Sequence, residues 1–123
     1  MADTHTLEEE LRRALNHLYD PIYLRKSPLL VNLGLQDRPN AAAALRDELL
    51  SAIAALKPGA DAHEAPKQRY QVLFSRYVQG FIQRDVAAQV GLSPRHLRRV
   101  QVAAIGVLAG YLCDRFGLTD GPL

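Results

Sequence analysis

Cysteine is almost absent from this chain of 123 residues: Cys113 stands alone, which excludes an internal disulfide and a cysteine-rich metal site. No apolar run approaches the ~20 residues that a membrane-spanning helix needs. The acidic, polar start from Met1 to Glu10 lacks the build of a secretory leader. His5, His17 and His63 have no metal-like spacing with one another or with Cys113. The carboxylates do not fall into a catalytic pair: Asp85 has Arg84 and Arg69 as local partners, and Asp47-Glu48 adjoin Arg46 on a face expected to be exposed. A Ser/His/Asp set, a phosphate loop and a glycine-rich nucleotide fingerprint are all missing. These absences predict a cytoplasmic protein without membrane, metal or cofactor, and not an enzyme.

What is present is apolar residue in helical order. Hydrophobic side chains make up 48% of the chain, enough to bury a core and to argue against disorder. The length suits one compact domain, or two half-size helical units sharing a core. The net charge of +2 hides an uneven distribution. Residues 1–66 carry 7 Lys/Arg against 10 Asp/Glu, whereas residues 67–113 carry 7 basic residues against the single acid Asp85. A basic segment joined to an acidic one suggests a polyanion-binding face beside something that does not touch the polyanion.

Periodicity predicts about six helices and no strand. The first is expected over Thr6–Tyr19, with Thr6 and Glu9 as a capping box and Leu7, Leu11, Leu15 and Leu18 on one face. Asp20-Pro21 stops it, Ile22–Lys26 adds a turn, and Ser27-Pro28 opens a short helix that Gly34 ends. A longer helix is expected over Asn40–Lys57, with an apolar stripe at Leu45, Leu49, Ile53 and Leu56 and a Pro58-Gly59 stop. Residues 1–57 thus form an amino-terminal helical segment, and 58–66, without hydrophobic periodicity, a flexible linker. A unit over 67–117 and a tail over 118–123 follow. Within the unit, one helix is expected over Pro66–Gln79, with Tyr70, Leu73, Phe74 and Tyr77 inward and Gly80 closing it. Two more are expected at 83–90 and 94–116.

The run from Gln83 to Val102 meets the positional demands of a helix-turn-helix. Ala87 is small where the two helices meet, and Gly91, four residues on, tolerates the positive φ of the corner. Val86, Val90, Leu92, Leu97 and Val100 occupy the core positions, Ser93 is a cap, and Pro94 fits the first turn of the second helix. With Leu97, Val100 and Ala104 inward, Arg95, Arg99 and Val102 point outward, flanked by His96 and Arg98. In this motif the second helix enters the major groove of DNA, and an arginine fork matches the two acceptors of guanine. Arg95 and Arg99 are the candidate base readers, while Arg98 and His96 are placed for bases or phosphates. Gln83 and Arg84 are placed for backbone phosphates, which position without specifying. Arg12-Arg13 and Arg25-Lys26 lie outside the motif and read as solvated.

The stretch from Arg69 to Leu112 resembles region 4 of bacterial sigma factors and the related C-terminal four-helix domain of quorum-sensing response regulators. The matching residues are Arg69-Tyr70-Gln71-Val72-Leu73, Arg76-Tyr77, Gly80, Asp85-Val86-Ala87, Gly91-Leu92-Ser93, Arg98-Arg99 and Ala103-Ala104-Ile105. The pattern usually has Glu where this chain has Asp85, Pro94 is less typical, and nothing resembles the promoter-melting part of a complete sigma factor. The resemblance implies a bacterial transcriptional regulator, or the DNA-binding part of a larger one, with Gln83, Arg84, Ser93, Arg95, His96, Arg98, Arg99 and Val102 against double-stranded DNA. The alternative it allows is an adaptor that contacts RNA polymerase or another regulator. Gly106 and Gly110, four apart in a helix interior, each cost ~1 kcal/mol relative to alanine. Their lack of side chains serves either close packing against the amino-terminal helices or a homodimer contact. Those amino-terminal helices likewise either dock on the motif or pair with a second chain.

Overall fold

The computed structural model describes residues 4–118, with side chains from Leu7 onward, and every regular element in that span is helical. Seven α-helices carry the all-α fold: α1 (Thr4–Asn16), α2 (Pro21–Arg25), α3 (Leu29–Asn32), α4 (Ala41–Ala55), α5 (Glu64–Leu73), α6 (Gln83–Val90) and α7 (Pro94–Phe116). None of them is long and apolar enough to cross a membrane.

In α1 the expected boundaries shift at both ends. The helix already begins at Thr4, so Thr6 falls inside the first turn and is not its cap; the Thr6 side chain lies outside the described residues. At the other end the chain tightens after Asn16, with His17 N–H donating to Ala14 O at 3.1 Å and Asp20 N–H to His17 O at 2.9 Å. That turn delivers Asp20 as the cap of α2, its carboxylate accepting from Tyr23 N–H at 3.2 Å ahead of Pro21 in the first turn. α3 has Pro28 at its cap position and no side-chain cap; Ser27, one residue earlier, accepts from Leu29 N–H at 3.2 Å, and Gly34 ends that helix at φ 71°. Asn40 caps α4 through Ala43 N–H.

The interval expected as a linker over 58–66 is shorter than its composition suggests. α5 starts at Glu64 and takes Pro66 as its third residue, where the N–H that proline lacks has no intrahelical partner to lose. Lys67 Nζ donates to Ala60 O at 3.0 Å and ties the preceding residues to the helix. Nor does the helix continue regularly to Gln79. Over Phe74–Val78 it widens into a π-turn, with Gln79 N–H donating to Phe74 O at 2.9 Å and Phe81 N–H to Ser75 O at 3.0 Å. Leu73 and Tyr77 are buried as expected, but Tyr70 and Phe74 are only half-buried, their rings stacked with centroids 5.9 Å apart.

Two apolar clusters meet along α7. Leu97 and Val100, in its first half, pack with Val72, Val86 and Ala87. Ala104, Ile105, Leu108, Ala109 and Leu112, in its second half, close on Leu7, Leu11 and Leu15 of α1, Leu18 in the turn that follows it, and Leu45, Leu49 and Ile53 of α4. The amino-terminal helices therefore dock on the same chain. At a rise of about 1.5 Å per residue, the 23 residues of α7 make a rod of about 34 Å that belongs to both clusters. Each fully buried Leu or Val contributes roughly 1.5–3 kcal/mol, so the rod is held firmly in both halves. Two polar ties reinforce the docking. Asn32 donates to the Glu10 carboxylate, linking α1 to α3, and Arg115 meets Glu48 at 3.2 Å, linking the end of α7 to α4. Burial pushes the Glu10 carboxyl above its ordinary value, against the opposing pull of Asn32 and Arg13.

Candidate nucleic-acid interface

The corner between α6 and α7 is built by three local devices. Gly91 ends α6 at φ 70°, ψ 35°, and Leu92 N–H donates back to Ala87 O at 2.9 Å. Ser93 accepts from His96 N–H at 3.2 Å and so caps α7, and Pro94 takes the first helical position. Below the corner Val86, Ala87, Leu97 and Val100 are buried, with Val90 and Leu92 half-buried at the rim. The two helices thus hold each other apolar face to apolar face, and the opposite face of α7 is turned to solvent.

That outer face carries the cationic side chains. Arg95, His96, Arg98 and Arg99 are all exposed, and Val102, further along, is 60% exposed. Among the described residues no carboxylate lies within ion-pair distance of Arg95, Arg98 or Arg99. Arg13, Arg46 and Arg115 are paired, with Glu9 at 3.9 Å, Asp47 at 3.3 Å and Glu48 at 3.2 Å, whereas Arg12, Arg25, Arg38 and Arg69 also lack an ion pair among the described residues. Ser93 lies at the head of the strip, its hydroxyl engaged as the cap. Arg84, on α6, is extended into solvent with Asp85 at 3.9 Å. Ile82, which precedes α6, offers no side-chain acceptor, so no cap covers the first turn beside Arg84. Gln83 is exposed, but its amide turns back to donate to Gln101 Oε1 at 3.4 Å. Of the eight sequence-derived site residues, Gln83 is the one whose functional group is engaged across the α6–α7 interface.

Three features of this region go beyond the sequence reading, which set Tyr77 inward and left Arg12 in solvent. Gln101 is buried on the inner side of α7. Tyr77, only 2% exposed, brings its hydroxyl beside the Gln101 side chain, where it makes no hydrogen bond of full geometry among the described residues; the same holds for Arg76 Nε. Burial pushes the Tyr77 hydroxyl above its ordinary value, while Arg76, Arg12 and the nearby Gln101 amide pull the other way. The third feature is Arg12 itself, which borders a groove between α1 and α7 together with Glu8, Glu9, Val102 and Ile105. Helical periodicity marks Tyr77 and Gln101 only as positions on a face, and Arg12 reaches α7 solely through tertiary packing.

Comparison of the chain with protein-family models, with curated proteins and with solved structures finds no match. The chemistry of the site therefore rests on its own geometry: a convex helical strip rich in guanidinium donors, anchored from beneath and unneutralised from above. Further along the rod, Gly106 and Gly110 separate in role. A Cβ on Gly106 would lie 3.4 Å from Glu8 Oε1, so this glycine receives α1, whereas a Cβ on Gly110 would meet nothing within 4 Å. Val107 beside it is 43% exposed.

Proposed function

We propose that this chain binds duplex DNA in a sequence-specific manner and acts as a transcriptional regulator, or as the DNA-binding part of one. The observation that carries the reading is the outer face of α7, where Arg95 and Arg99 are exposed, lack a carboxylate partner among the described residues and stand on a helix fixed from below by Leu97 and Val100. A recognition helix needs those properties together. Its readers must be free to meet base edges, and its backbone must not yield when they do. Arg98 and His96 flank the readers, and Arg84 with the uncapped start of α6 suits a phosphate oxygen. The resemblance of residues 69–112 to sigma region 4 supports the same use of the same helix.

A second copy of the chain fits this reading. Gly110 faces open space and Val107 is exposed beside it, and paired copies would match the two half-sites that helix-turn-helix regulators often read. Selection from a randomised duplex pool, followed by sequencing, tests the proposal. Enrichment of a short motif supports DNA recognition, and a palindromic motif supports the dimer. Recovery of random sequence, with no salt-sensitive binding, favours the adaptor role on RNA polymerase or another regulator.

A further inference from the structure

We infer that Arg12, from the amino-terminal helix and outside the helix-turn-helix, is a phosphate contact that extends the DNA-binding face of α7; the inference rests on the duplex-binding reading above. Docking of α1 along the second half of α7 sets the geometry. Glu8 seats over Gly106, and moving up α1 toward Arg12 means moving down α7 toward Val102, with Glu8, Glu9, Arg12, Val102 and Ile105 framing a groove of about 200 Å³. Val102 belongs to the outward strip, three residues after Arg99 and one helical turn after Arg98. Arg12 thus borders the exit of the recognition strip.

The charges at this junction sort themselves by position. Arg13, the neighbour of Arg12, is engaged with Glu9. Arg12 is exposed and has no ion-pair partner among the described residues, and its charge acts on the Tyr77 hydroxyl, on the side of α1 that faces the helix-turn-helix. Glu8 stands at Gly106, about 6 Å further down the rod from Val102 and so away from the readers. With Glu9 engaged by Arg13 and Glu8 set back, Arg12 is the group at the groove that is ready to meet an anion. Because it flanks the strip, it lies beside the groove wall of a bound duplex, where phosphates run, and it adds affinity and orientation without sequence preference. The amino-terminal segment is then part of the DNA-binding surface as well as a support for α7.

The test is a fluorescence-polarisation titration of the full chain, as wild type, Arg12→Ala, Arg12→Lys and Arg13→Ala, on a selected duplex and on a random one across a salt series. One lost phosphate contact lowers the slope of log K against log salt by ~0.9. The Arg12→Ala deficit therefore narrows by about threefold between ~50 and ~200 mM salt. The expected result is an equal loss on both duplexes for Arg12→Ala, a wild-type slope for Arg12→Lys, and a smaller loss for Arg13→Ala, which releases Glu9 to compete for Arg12. If the wild type binds and Arg12→Ala keeps its affinity and slope while folded by circular dichroism, the Arg12 assignment is overturned and DNA binding stands. A loss confined to the selected duplex overturns the phosphate role. Absence of wild-type binding to either duplex overturns the underlying reading, and the inference with it.

Discussion

Replacing Tyr77 with phenylalanine should make this protein more stable, which is unusual for a change at a position only 2% exposed. The ring packs in the core and would be preserved, so no cavity is made. What is removed is a buried hydroxyl that lies beside the Gln101 side chain without reaching full hydrogen-bond geometry with it or with any other of the described residues. An unsatisfied buried polar group costs roughly 1–3 kcal/mol, and the nearby Gln101 amide and arginine charges offset part of that. The expected gain is about 1 kcal/mol, or a rise in Tm of roughly 3–5 °C for a chain of this length. The pH dependence adds a second signature. Burial holds the folded-state pKa above the ordinary 10.0, so on raising pH the unfolded chain releases this proton first. Stability that is fully present below that ordinary value is lost as pH climbs toward the folded-state pKa, and phenylalanine at this position removes the loss. Urea melts at pH ~7 and ~10.5 should therefore show Tyr77→Phe ahead at both, with the wider gap at the higher pH. A loss of 1 kcal/mol or more, or identical pH behaviour of the two proteins, would show that the hydroxyl is bonded and that the junction of α1, α6 and α7 has been misjudged.

Two further substitutions test the rod and its corner. Gly91→Ala should cost about 1–2 kcal/mol in urea melts, because φ 70° is left-handed and the added methyl meets nothing, leaving backbone strain as the sole penalty; unchanged stability would mean that the corner relaxes freely. Gly110→Ala should stabilise an isolated chain by about 0.5–1 kcal/mol through helix propensity, since its Cβ faces open space. If instead it destabilises, with a Tm that depends on protein concentration, a second copy covers that face. Light scattering would then show a dimer in the wild type.

How legible these features were depended on whether their cause was local. The α6–α7 corner could be read to the residue, because Gly91, Ser93 and Pro94 each act on the backbone within a few positions. The starts of α3 and α4 were marked in the same way by Ser27-Pro28 and Asn40, whereas Asp20, read as the stop of the first helix, also caps α2. Proline was less informative at α5. It is tolerated throughout a first turn, so Pro66 was read as the first residue of a helix that already starts at Glu64. The π-turn at Phe74–Val78 has no punctuating residue, and Gly80 closes the segment as it would close a regular helix. Arg12 lay furthest from reach. On α1 it has the pattern of a solvated charge, and only the seating of Glu8 over Gly106 brings it to Val102. The exposed arginines of α7 were foreseeable because their buried counterparts Leu97, Val100 and Ala104 fix the phase of the helix.

The central claim is that the outer face of α7 reads DNA, and the most direct measurement is the affinity of the wild type and of Arg95→Ala/Arg99→Ala for a selected duplex at two salt concentrations. A good guanine fork contributes ~1–3 kcal/mol of discrimination, so the double variant should lose roughly tenfold or more in affinity and most of its preference over random duplex. Both residues are exposed, so its melting temperature should match the wild type. Wild-type affinity and selectivity in the double variant would contradict the account.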